Sequence, residues 1–107
     1  MIDRDIFFMN CVITIASDDY ESFEIIFDQT RRLAAVQGID VTEGEVAKTV
    51  ERAIADGLAE AYRLSPHEPH SVKVAYLREH LHELWFYVTP LGKSTAKSMA
   101  ELSGEDI

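Results

Sequence analysis

The sequence predicts a mainly helical α+β domain, and three stretches predict it. Residues 42–56 read as an amphipathic helix with a cap at one end and Gly57 at the other. Residues 59–64 and 84–88 read as strands, the second through its run of aromatic and β-branched residues. Thr89-Pro90 then opens a further amphipathic segment. The chain has 107 residues, which suits one domain with a single modest core. That domain is expected over 1–102, with a disordered tail at 103–107.

The stretch from Val41 to Leu64 carries the most information. Thr42 followed three residues later by Glu45 is a capping box, in which each side chain satisfies the other's backbone amide. Val41 and Val46 flank the cap as a hydrophobic staple. Val46, Val50, Ala53 and Ile54 then recur at i, i+4, i+7 and i+8, which is one buried stripe. Gly57 stands where a left-handed residue ends a helix, and Leu58 begins an extended segment. Within 59–64, Tyr62 and Leu64 share one strand face, and Ala61 and Arg63 the other.

Upstream, residues 4–16 are apolar nearly all round. Ile6, Met9, Val12, Ile13 and Ala16 form one helical stripe, and Phe7, Phe8, Cys11 and Ile15 a second face. Periodicity alone leaves a buried helix and a buried strand both open. A second helix is expected from about Tyr20 to Val36. Asp18 and Glu21 would cap it, Phe23, Ile26, Phe27, Thr30, Leu33 and Ala34 would be its buried set, and Gly38 its stop. Arg31 and Arg32 near its end could touch phosphates, although helix-dipole compensation and pairing with Asp28 explain them more simply. Pro66 and Pro69 make 65–71 a turn region. Residues 72–84 read as a strand start followed by a short helix or irregular insert. Trp85 and Tyr87 share a face of the returning strand. The last helix, from Pro90 to about Leu102, places Leu91, Thr95, Ala96, Met99 and Leu102 on one stripe.

The order Val46-x-x-x-Val50-x-x-Ala53-Ile54-x-x-Gly57-Leu58, running into a strand, resembles the recognition helix and first wing strand of MarR-like and PadR-like winged helix-turn-helix regulators. Trp85-Phe86-Tyr87-Val88-Thr89-Pro90-Leu91-Gly92-Lys93 resembles their closing wing strand and the helix start after it. The resemblance implies a winged helix: a three-helix core beginning with a helix at 4–16, a two- or three-stranded antiparallel wing sheet with its tip at 65–71, and a C-terminal helix. It also implies that Gly44, Lys48, Thr49 and Arg52, with Glu43, face DNA. The terminal helix of such regulators often builds a dimer interface, which makes Leu91 and Met99 contact candidates. Phe7, Phe8 and Ile15, on the second apolar face of the first helix, are the other candidates for a homodimer contact.

The net charge of −9 works against DNA, because phosphate binding draws on cations and an acidic chain repels a polyanion. The central helix itself sets Glu43, Glu45, Glu51 and Asp56 against Lys48 and Arg52. Two functions are therefore expected as rivals. One is a regulator-like, dimeric protein that binds duplex DNA through 42–56 and the wing. The other is an acidic winged-helix module for protein contacts or dimerisation, without DNA binding. A continuous patch from Arg31, Arg32, Lys48, Arg52 and Lys73 marks the first; an acidic central helix marks the second.

Catalysis and a cofactor are not expected: the chain has no phosphate-binding glycine loop, no nucleophile elbow and no activated Cys/His pair. Its one cysteine, Cys11, sits in the most apolar run, which suits an inert buried thiol and excludes an intrachain disulfide. His67, His70, His80 and His82 are weak metal-ligand candidates, because their spacing matches no zinc motif. No apolar run reaches the roughly 20 residues of a membrane helix, and Asp3 and Asp5 replace the basic start of a signal peptide. A cytoplasmic location is the expectation.

Overall fold

Asp3 caps the first helix, α1 (Arg4–Ile15), by accepting from the Ile6 amide at 3.1 Å. The structure is a computed structural model that describes the backbone of residues 3–102 and the side chains of 3–96. The expected contact Met99 and the tail at 103–107 lie outside the described side chains. After α1, residues Glu21–Ser22 form a short strand, β1, and Ser22 caps α2 (Phe23–Val36) by accepting from the Ile25 amide at 3.3 Å. The second helix thus begins three residues later than the Asp18/Glu21 spacing suggests. The physical reason is competition: Glu21 and Ser22 pair with Phe86 and Trp85, and a residue in a ladder cannot also open a helix.

Helix α3 (Glu43–Ala55) has both halves of the capping box, with Glu45 accepting from the Thr42 amide at 2.9 Å and Thr42 accepting from the Glu45 amide at 3.2 Å. Gly38 after α2 and Gly57 after α3 have φ of 71° and 75°, the left-handed conformation each helix stop requires. Strands β2 (Ala59–Leu64) and β3 (Ser71–Val74) form a hairpin. The chain then makes a 3₁₀ turn at Arg78–His80 and enters β4 (Trp85–Val88), and α4 runs from Pro90 to Leu102.

The sheet is antiparallel throughout, in the order β1-β4-β2-β3. Among the described residues it has four strands where two or three were expected. The addition is β1, cut from the expected start of the second helix; β3 is the strand start expected in 72–84, and it stands at the sheet edge because the segment 75–84 carries the chain back across β2. Phe86 pairs with Glu21 on one side and Ala61 on the other.

Val12 of α1, Phe23 and Ile26 of α2, and Val46 and Val50 of α3 pack against Ala61 and Phe86 of the inner sheet face, with Leu81 and Leu84 from the insert. A second cluster joins Met9, Ile13, Ala53, Leu58, Ala59 and Val88 at the end where α4 begins. Burying each of the Val, Leu, Ile, Phe and Met side chains among these contributes roughly 1.5–3 kcal/mol. Two expected core or surface roles are reversed. Leu33, expected in the buried set of α2, is 48% exposed, because it lies outside the stripe of Phe23, Ile26, Thr30 and Ala34 that is buried. Phe8, expected at a dimer contact, is only 2% exposed and lies beneath Arg4, whose guanidinium stands 5.1 Å from its ring centre. Ile15 is half-buried against the main core, Phe7 is half-buried, and Leu91 is exposed.

Three substitutions test this packing. Thr30 Oγ1 is buried without a hydrogen-bond partner among the described residues, a desolvation cost with nothing to offset it. Thr30→Val should therefore raise stability, by about 1 kcal/mol, in a denaturant melt. Gly92 lies so close to the β2 entry that an added Cβ would stand 2.0 Å from Leu58 O, whereas one at Gly44 would find its nearest neighbour at 3.9 Å. Gly92→Ala should cost about 1–3 kcal/mol through overpacking, and Gly44→Ala should be neutral or stabilising.

Candidate functional site

The outward side of α3 shows Glu43, Gly44, Lys48, Arg52 and Asp56 to solvent, with Glu51 half-buried at its margin. Thr49 turns back on its own helix and donates to Glu45 O at 2.9 Å, so its hydroxyl is already used. The cations of the expected patch sit on three elements, and carboxylates hold most of them. Arg31 and Arg32 of α2 share Asp28, at 2.8 and 3.0 Å. Arg52 pairs with Asp56 at 4.0 Å, one turn along α3. Lys73 of β3 pairs with Glu60 of β2 at 3.0 Å. Lys48 alone of the five has no carboxylate within 4.0 Å among the described residues.

Sequence spacing gave no sign of Arg4, which also belongs to this surface. Its guanidinium crosses from α1 to donate to Glu45 at 2.9 Å and to Asp40 O at 3.0 Å. That bond, with the Thr42 amide, holds the Glu45 carboxyl below the usual range. Arg4, Lys48 and Arg52 line a cleft of about 300 Å³ between α1 and α3, with Phe8 and Met9 in its floor and Asp5 and Glu45 at its edge.

At the margin of the outward side of α3, Glu51 accepts from Arg78 Nε and Nη2 and from the Tyr76 hydroxyl, the last at 2.7 Å. Arg78 is the main cause of the lowered Glu51 pKa. Burial, then Glu51, pushes the Tyr76 phenol up to about 12. The group fastens the insert 75–84 to the central helix. His82 fastens it a second time: Nδ1 bonds Glu24 at the start of α2, and Nε2 lies 3.3 Å from Glu43 at the start of α3. The Phe23 ring meets the imidazole edge-on at 5.5 Å.

The outer face of the sheet carries a tyrosine cluster. The rings of Tyr62 and Tyr87 each meet Tyr20 edge-to-face, with 5.0 Å between centres, and Trp85 lies opposite Tyr62 in register. Lys93 of α4 stands 5.2 Å above the Tyr87 ring. Tyr20 joins this cluster through β1, a strand too short to be read from the sequence.

The histidines do not converge. His67 and His70 sit in the turn at the β2–β3 tip, His80 pairs with Glu83 at 2.8 Å, and His82 faces Glu24 and Glu43. No group of three or more His, Cys, Asp and Glu among the described residues could hold a metal. Burial pushes the Cys11 thiol up to about 11, which leaves it protonated at neutral pH. No helix among the described residues is long and apolar enough to cross a membrane. No family model, no curated protein and no solved structure matches the chain.

The His82 contacts have a measurable consequence. Glu24, with Glu43 assisting, raises the His82 pKa above its ordinary value. Folding therefore gains from this group below about pH 6.5, where the unfolded imidazole is also charged. The gain is lost as pH rises through the folded pKa. Melting of the parent and of His82→Gln should differ most near pH 6 and converge in the alkaline range, and NMR titration of the imidazole should give the raised midpoint.

Proposed function

We propose that this chain is a winged-helix module that works through protein contacts, self-association included, rather than by reading DNA. The winged-helix part draws support from the order of elements. A short strand between the first two helices lines up beside the last strand, and that last strand pairs with the one following the third helix. Strand β3 is then an insertion at the wing edge.

One observation carries the functional part. Four of the five cations suited to phosphate contact already rest on carboxylates of their own chain, at 2.8 to 4.0 Å. A phosphate would have to displace those carboxylates, on a chain whose net charge of −9 repels it. The aromatic sheet face and the α1–α3 cleft remain as contact surfaces, and rings of this kind are enriched at protein interfaces. A DNA-reading role keeps one specific point in its favour: Lys48 is exposed, has no such partner among the described residues, and shares its cleft with Arg4 and Arg52.

The test is titration of the full chain into duplex DNA across a salt series. No binding is expected even near 50 mM salt, a permissive condition for phosphate contacts. Binding that falls steeply with salt and disappears in a Lys48→Ala/Arg52→Ala variant would overturn the proposal in favour of DNA reading.

A further inference from the structure

Resting on the reading of this chain as a self-associating module, we infer that the groove between α1 and α3 is the face on which a second copy docks. The cleft described above continues into a depression of about 170 Å³ that shares Asp5, Met9 and Arg52 with it and adds Ile6, Asp56 and Leu58. The two form one groove along the helix pair. Phe8, Met9 and Leu58 give it an apolar floor. Ile6 stands on its edge with 55% of its surface exposed, a large aliphatic group that is only partly covered.

The charges of the groove select the occupant. Arg4, Lys48 and Arg52 stand against Asp5, Glu45 and Asp56. Three cations and three carboxylates cancel, so the whole formal charge of −9 lies elsewhere on the chain. Two such chains repel each other over most of their surface, and a neutral face is where the approach costs least. A basic partner would gain more from the acidic remainder, and an acidic partner or a nucleic acid would meet as many carboxylates as cations. A second copy is different. Across a two-fold axis Arg4 and Arg52 can exchange Glu45 and Asp56 for the partner's copies, and Lys48, which has no carboxylate within 4.0 Å among the described residues, can gain one. The same axis sets the Ile6 of each copy against the apolar floor of the other.

Sedimentation velocity of the full chain, from micromolar to near-millimolar concentration, tests this. The parent should form a dimer. Ile6→Glu should weaken it about tenfold or more, by placing an acid on the apolar floor. Arg52→Glu should weaken it by unbalancing the rim. Adding Asp56→Arg to Arg52→Glu restores the balance and should restore the dimer. Leu64→Glu, on the exposed wing, should leave it unchanged. Circular dichroism of each variant separates loss of association from loss of fold. A parent that stays monomeric throughout would overturn the inference and the self-association it rests on. A dimer indifferent to both Ile6→Glu and Arg52→Glu would overturn the groove alone and leave self-association standing.

Discussion

Phe86 reaches the core from a strand that must pair on both edges, with Glu21 on one side and Ala61 on the other. The arrangement of the helices depends on that double pairing. β1 leads directly into α2, and β2 follows directly from α3, so seating β4 between the two strands brings the two helices over the same sheet face. The Val88 amide then donates to Ala16 O at 3.1 Å, which ties the end of α1 to the same strand. Thr89 closes the far end: its amide donates to Leu58 O at 3.0 Å and its hydroxyl to Gly57 O at 2.6 Å. The glycine that stops α3 is therefore also the acceptor that receives the start of α4. All of these contacts join residues distant in sequence, so each must offset the entropy of closing a long loop.

Charge is distributed in this protein by mutual neutralisation rather than by segregation. With 19 acidic and 10 basic Lys and Arg residues, a positive face would require the cations to gather while the acids stayed away. The opposite happens. Asp28 takes two arginines, Glu45 takes Arg4 across two helices, and Glu51 takes Arg78 from the insert. Exposed pairs of this kind contribute little stability each. Their larger effect is on what the surface can attract, and this is why the protein-contact reading is preferred here over the DNA reading that the central helix suggests.

The insert 75–84 shows how a segment without regular structure is held. It contributes Leu81 and Leu84 to the core and fastens its polar side to the helices at two places, Glu51 through Tyr76 and Arg78, and Glu24 and Glu43 through His82. The His82 contacts bind the first turns of α2 and α3 together through one side chain. The insert thus braces α2 against α3.

Most of the local structure was determined by the sequence itself. The capping box at Thr42, the stripe of Val46, Val50 and Ala53, the stops at Gly38 and Gly57, and the Thr89-Pro90 helix start all rest on interactions within a few residues, which spacing records directly. Tertiary structure decided what spacing cannot record. It moved Glu21 and Ser22 from a helix to a strand, because their ladder partners lie more than 60 residues away. It buried Phe8 and left Leu33 exposed, because an apolar residue on a helix is covered only where a neighbouring element arrives. It joined Arg4 to Glu45 and Tyr20 to the aromatic sheet face, pairings with no local signature. It also decided which cations keep their charge available to a partner, since that depends on the position of every carboxylate in three dimensions and not on the composition that counts them.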